Sequence, residues 1–391
     1  MNTIEVTIGA DAIPIDREVF VALFDNSVVH GAAGYTKALD RGQIAFKDLV
    51  ELARKAEVPY PLLFAPRSVV DAQLDAKTKK LLAGVSKDQY SIAARGSVEL
   101  RDVELIVKDL LRKQELYKKH VRQLPRNPLV GCISRARTPQ QDALALFGVL
   151  GLSGEDLRAQ KTKQAAVDLY VEHLEAAHVL VARSVQGYMP QSLAKVTFSG
   201  LTVRDAKVPY VFLAGGSHGE DEEPTGRQLF TLALFTVLIG RKMFRAVTMD
   251  TTTLLDAPPP EYAIVGEMLM PEQLVRSLDL SSLDAIQHAA DELKVTPSAL
   301  VVRAQSLKLL GWDVAGEYLR ELGEVFRGRP KQQARQPKPV NAVRKYNGRR
   351  FTRAMLDAVD DGAMSPGEFC RVVGARKIKP DDLNDLRKAV G

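Results

Sequence analysis

The stretch that decides the fold is GRQLFTLALFTVLIGRKMF, residues 226–244, read together with GEMLMPEQLV, residues 266–275. In the first, Leu229, Phe230, Leu232, Leu234, Phe235, Val237, Leu238 and Ile239 cover nearly the whole circumference of a 3.6-residue repeat. A helix apolar nearly all round has no face for water and belongs in a core. Each large side chain fully buried there contributes about 1.5–3 kcal/mol. Upstream lie three strand candidates, HVLVARS (178–184), AKVTFSGLTV (194–203) and VPYVFLAG (208–215), then the acids Glu220 to Glu223 and Pro224. A small sheet beside a buried helix, with many further helical stretches, predicts an α+β, mainly helical protein.

Outward from this centre, Thr138-Pro139 reads as an N-cap followed by Pro at the first helical position, and two or three helices reach Ala177. A Thr- and Pro-rich loop runs to Pro260. Helices are predicted at about 261–277, 281–294, 296–310 and 314–326, and a long one from Arg101 to Val121. Near the N-terminus TIEVTIG alternates as a strand does, and FKDLVELARKA puts Phe46, Leu49, Val50 and Ala53 on one helical face. Residues 349–391 offer three short helices separated at Gly362 and Gly374. Trp312, the single tryptophan, sits at a helix junction, where packing is the expected role.

The chain has 391 residues, enough for two or three domains, and at 46% hydrophobic and 26% charged it is no disordered polymer. No apolar run approaches the roughly 18 residues of a membrane helix. MNTIEVTIGADAIPIDREVF lacks a basic segment followed by an apolar one, and two cysteines, Cys132 and Cys370, make no disulfide framework. A cytoplasmic setting is expected. The net charge of +6 is uneven: Arg327 to Arg353 holds ten Lys/Arg and no acid, which leaves the rest near −4. This strap, with its prolines, reads as an extended tether. Its cations Arg327, Arg329, Lys331, Arg335, Lys338, Arg344, Lys345, Arg349 and Arg350 are the candidate contacts to nucleic-acid phosphates.

The order VPYVFLAG, RQLFTLA, apolar helix, LMP resembles the ImmA/IrrE metallopeptidases, whose helix begins RQRFTLAHELGH and whose companion helix ends in LLMP. Arg227, Gln228, Phe230, Thr231, Leu232 and Ala233 match the approach, and Met268, Leu269, Met270 and Pro271 the companion. DRGQIAFKDLVELARKAEVPYPLLFAP (40–66) looks like the end of the helix-turn-helix of longer members. NGRRFTRAMLDAVDDGAMSPGEFCRVVGAR (347–376) looks like their C-terminal helical module. The resemblance implies a zincin-like domain with a small sheet, flanked by helical modules. Its divisions would be a degenerate helix-turn-helix-like region (1–66), a helical connector (67–137), the metallopeptidase-like domain (138–326), a basic linker (327–348) and a C-terminal helical module (349–391).

The chemistry is where the sequence departs. An H-E-x-x-H helix works because two His four apart share one face and bind Zn²⁺, while the Glu polarises the zinc-bound water. Here those positions are Leu234, Phe235 and Leu238, with Thr236 and Val237 between. The third ligand position, eleven residues before Pro271, is Pro260, with Glu261 one step away. No catalytic residue, metal ligand or cofactor follows from these positions. A weaker alternative places zinc on His218, Glu220 and Glu223 in the acidic loop, although acids before a helix also suit its dipole.

His173 and His178 lie five apart, off one helical face. Gly215 to Gly219 lacks the Lys and spacing of a phosphate loop, and no G-x-S-x-G is present. A second helix-turn-helix candidate, 284–310, offers only Arg303 and Lys308 as cations on its second helix, so packing is its expected role. Three functions are carried forward by resemblance. The first is a non-catalytic regulatory or antitoxin-like protein of a phage, prophage or mobile-element circuit, binding a repressor or a toxin such as a small nuclease. The second is a zinc endopeptidase with unusual ligands, and the third a DNA-binding transcriptional regulator.

Overall fold

The computed structural model describes residues 2–25, 27–82, 100–134, 136–193, 199–217, 221–247, 259–329 and 337–391. They form a mainly helical protein with two small mixed sheets, divided into two compact units.

In the first unit, the alternation in TIEVTI gives β1 (Thr3–Ile8), which pairs antiparallel with β2 (Asp11–Asp16) and parallel with β3 (Gln43–Ala45), in the order β2-β1-β3. Ile4, Val6 and Ile15 turn inward, against α1 (Arg17–Asp25), α2 (Ala33–Arg41) and α3 (Phe46–Lys55). In α3 the buried residues are Leu49, Leu52 and Ala53, so its inner face is turned slightly from the one predicted. The two helices of the expected helix-turn-helix, α2 and α3, are joined by β3, a strand of the sheet. A 3-10 turn (Tyr60–Phe64), α4 (Arg67–Leu82) and α5 (Leu100–His120) follow. Through Asp109, α5 belongs to this unit; there Glu104, 1% exposed, holds Lys77 and Lys108 at 2.8 Å each. A buried carboxylate survives when paired in this way.

The second unit takes the rest of α5 and everything after it. It opens with α6 (Pro139–Leu150), where Thr138 and Gln141 form a reciprocal capping box behind the predicted Pro139. Next come α7 (Gly154–Arg158) and α8 (Lys163–Ala176). The four-stranded sheet has the order β4-β6-β5-β9, from β4 (Leu180–Arg183), β5 (Gly200–Val203), β6 (Tyr210–Leu213) and β9 (Ala246–Val247). β4 runs parallel to β6, and β5 antiparallel to both β6 and β9. Residues 194–198 of the second strand candidate lie outside the described residues. A hairpin of β7 (Gly216–Ser217) and β8 (Asp221–Glu222) leads to α9 (Thr225–Gly240), the apolar helix of residues 226–244.

After β9 come α10 (Pro260–Leu269), α11 (Glu272–Arg276), α12 (Leu283–Glu292), α13 (Pro297–Ser306) and α14 (Trp312–Arg327). The α12–α13 pair is packed as expected of 284–310. A Cβ on Gly226 would come within 2.6 Å of the Val295 carbonyl carbon, so only glycine lets α9 press on that turn. Arg303 turns inward: its Nε donates to Met270 O at 3.2 Å and it pairs with Glu267. Trp312 departs from expectation, being 55% exposed at the start of α14.

The basic strap also departs from the extended tether. Its second half forms α15 (Pro339–Asn347), because Pro339 pre-sets the first helical turn and Ala342, Val343 and Tyr346 share a face that is buried. It leads into α16 (Arg349–Asp360), α17 (Pro366–Val372) and α18 (Leu383–Val390). No helix among the described residues is long and apolar enough to cross a membrane.

Candidate functional site

The candidate site is the middle of α9, the segment that the resemblance would align with a metal-binding helix. Leu234, Phe235, Thr236, Val237 and Leu238 are all 0% exposed, in a helix flanked by α8, α10, β5 and β6. The Phe235 ring lies against β5 at Gly200: a Cβ there would sit 3.0 Å from two ring carbons and 2.1 Å from Phe212 O, at φ +150°. Thus the position that would carry a general base holds an aromatic ring, and the strand beneath it has given up its side chain to fit that ring. Thr236 is the one polar group of the five. It donates to Leu232 O at 2.9 Å and accepts from Tyr170 Oη at 2.9 Å, so its proton and one of its lone pairs are committed inside the fold. Burial pushes the Tyr170 hydroxyl far above its usual range.

Pro260 is exposed as the first residue of α10, and Glu261 is 5% exposed, held by Arg241 Nη1 at 2.5 Å. Met268, Leu269 and Met270 belong to the core. Tyr262 meets Phe230 edge-on at 5.5 Å; burial pushes its hydroxyl up, against the nearby charges of Arg227 and Arg245.

Of the alternative ligands, His218 and Glu220 lie outside the described residues. Glu223 is 8% exposed and committed inside the fold: Ser199 Oγ donates to its Oε1 at 2.5 Å, Arg227 Nε stands 3.9 Å away, and its main-chain N–H donates to Gly215 O at 2.8 Å. Burial raises its carboxyl pKa, while Arg227 and Ser199 pull it down. Among the described residues no three His, Cys, Asp or Glu are grouped as a metal would need. The other histidines considered serve structure: His173 Nδ1 lies 2.9 Å from Leu150 O, and His178 faces Arg350.

The strap cations fall into three sets. Lys331 and Arg335 lie outside the described residues. Arg327, Arg329, Lys338 and Lys345 are exposed, with Arg329 5.8 Å from the Phe326 ring. Arg344, Arg349 and Arg350 have partners within the chain, as does neighbouring Arg353. Arg344 donates to Ala389 O at 2.9 Å, Arg353 to Val390 O at 2.6 Å and Arg349 to Gly391 O at 2.9 Å. Three guanidiniums thereby satisfy carbonyls at the C-terminus of α18, where positive charge is favoured.

Arg350 is a joint between α16 and α8. Its guanidinium donates to Glu175 O at 2.8 Å and Tyr117 Oη at 2.9 Å, and Nη2 lies 2.9 Å from His178 Nδ1. His178 must accept, since a guanidinium only donates. The Arg350 N–H donates to Glu175 Oε1 at 3.3 Å, and burial pushes the Glu175 carboxyl up to about 7. The sequence separation of 175 residues hides this pairing from any reading of spacing.

The arrangement in α9 can pack but cannot activate water. No protein-family profile, curated protein or solved structure matches the chain.

Proposed function

We propose that the chain is a non-catalytic regulatory protein of the antitoxin kind, related to the ImmA/IrrE metallopeptidases. In this reading it acts within a phage, prophage or mobile-element circuit by binding a repressor or a toxin, without cutting it. The reading rests on one observation: the five positions aligned with the zinc-binding helix are fully buried hydrocarbon and one hydroxyl that donates one hydrogen bond and accepts another. It is supported by a helix with the FTLA approach following a mixed sheet in which β4 and β6 are parallel and β5 antiparallel, and by the LMP turn packed into the same core. A zincin-like ancestry accounts for that order, and loss of the ligands leaves binding as the retained activity. The free thiols of Cys132 and Cys370 suit a reducing cytoplasm. DNA binding through the strap is disfavoured, because Arg344, Arg349 and Arg350 satisfy groups of the chain itself.

The test is co-expression with the product of the neighbouring gene, followed by size-exclusion chromatography and mass spectrometry of the partner. A stoichiometric complex with an intact partner is expected. A partner cleaved at a defined bond, with cleavage stopped by a chelator, would establish the endopeptidase reading in its place. Co-elution only when duplex DNA is present would favour the transcriptional one.

A further inference from the structure

The end of α5 and the turn between β5 and β6 are joined by hydrogen bonds and together carry a set of cations. Residues 116–127 hold Lys118, Lys119, Arg122 and Arg126 and no Asp or Glu, while Arg204 and Lys207 flank Asp205 in the turn. Gln114 Nε2 donates to Val208 O at 2.9 Å, and the Asn127 N–H donates to Ala206 O at 2.9 Å. Asn127 Nδ2 donates to Ala177 O at 2.8 Å and to Lys207 O at 3.3 Å. From α5 to Asn127 the chain passes through Gln123, a left-handed residue at φ +58°. The cations therefore stand on a fixed frame.

Lys118 Nζ holds the two nearby acids, Asp205 at 2.9 Å and Glu115 at 2.6 Å. Asp205 Oδ1 is also occupied, accepting the N–H groups of Lys207 and Val208. Lys119, Arg122, Arg126, Arg204 and Lys207 are exposed, and among the described residues their side chains have no hydrogen bond or ion pair. Positive charge in a last helical turn ordinarily answers the dipole, and Lys118 and Lys119 do so in α5. Arg122, Arg126, Arg204 and Lys207 lie beyond the helix, so the dipole does not account for them. Unpaired cations held close together repel one another, and their summed field concentrates anions at the face.

We propose that this face binds the phosphate backbone of duplex nucleic acid through Lys119, Arg122, Arg126, Arg204 and Lys207. Such contacts need charge and reach rather than a shaped pocket. A protein partner calls for an apolar centre inside a polar rim, and none of the exposed large hydrophobic side chains belongs to these two segments. A single strand calls for aromatic rings on which its bases stack. Tyr117, the one Phe, Tyr or Trp of the two segments, is 2% exposed and accepts from Arg350. None of the five cations belongs to the basic strap, and the proposal does not rest on the function proposed above.

The test is fluorescence anisotropy of the full chain with a labelled DNA duplex of about 20 base pairs and arbitrary sequence, over a salt series. Saturable binding at low salt is expected, and five phosphate contacts give log K against log salt a slope of about −4 to −5. Arg122→Gln with Arg204→Gln should weaken binding about tenfold or more at fixed salt and make the slope shallower by about 2. Both residues are exposed, so the variant should unfold in urea as the unaltered chain does. Arg122→Lys with Arg204→Lys keeps the charge and should bind within about threefold of the unaltered chain. Arg327→Gln with Lys338→Gln, on the strap, should change binding less than about twofold. No binding at low salt, equal binding by the Arg122→Gln, Arg204→Gln variant, or as large a loss in the strap variant overturns the proposal. Tighter binding of the single strand, or of polyglutamate of the same charge, also overturns it, the first pointing to base stacking and the second to an acidic protein.

Discussion

Replacing Phe235 by Glu puts a carboxylate at the position that the proposed relationship would align with a general base, and here it should be ruinous. Phe235 is 0% exposed, with its ring on the Gly200 backbone. Removing a buried phenyl ring costs about 3–5 kcal/mol, and leaving a buried charge without a partner costs about 3–5 kcal/mol more. The sum, about 6–10 kcal/mol, matches the whole stability of an ordinary domain. Trp312 is the only tryptophan and lies in the second unit, so its fluorescence during urea unfolding reports on that unit. At pH 8 Phe235→Glu should show no folded baseline, whereas Phe235→Leu should lose about 1.5 kcal/mol or less. Any folded fraction of the Glu variant should grow on acidification, because burial raises a carboxyl pKa and the protonated form is the one the core tolerates. A Phe235→Glu protein folded at pH 8 with a loss below about 2 kcal/mol would refute the claim that this position is sealed core.

Other consequences follow from the same packing. Burial raises Glu175 from 4.5 to about 7, so its contribution is fully present below pH 4.5 and is lost as pH rises through about 7. Relative to the unaltered chain, Glu175→Gln should therefore gain about 3 kcal/mol between those pH values in parallel denaturation curves. His178, whose pKa burial and Arg350 lower, titrates in both proteins and cancels in that difference. Gly200→Ala should cost more than about 3 kcal/mol in urea unfolding, since the backbone conformation and the Phe212 oxygen both oppose a Cβ. Arg350→Ala should cost about 2 kcal/mol and speed proteolysis of the C-terminal helices. A loss of duplex binding at unchanged stability would instead assign Arg350 to phosphate contacts.

What could be read from the sequence was what rests on local repeats. The all-round apolar character of α9, the long helix found as Leu100–His120, and the Thr138 cap each announce themselves within one or two turns. What could not be read depends on distant partners or on residues with two meanings. β2 was not anticipated because Pro14 reads as a strand breaker, yet it sits on an edge strand, where a missing N–H is tolerated. α15 was hidden because its cations suggested a tether while its three buried apolar residues, Ala342, Val343 and Tyr346, are too few to stand out. The seating of Phe235 on Gly200 and of Glu175 on Arg350 joins residues far apart in sequence. Of the candidate site, the apolar character of 234–238 was legible; the Tyr170–Thr236 bond and the Arg241–Glu261 pair beside it were not.

The most direct test of the central claim is the metal content of the purified full chain after dialysis, measured alongside hydrolysis of its co-expressed partner. The account predicts far less than one zinc per chain and no cleavage that a chelator stops. One tightly held zinc per chain, with chelator-sensitive peptide hydrolysis, would contradict it.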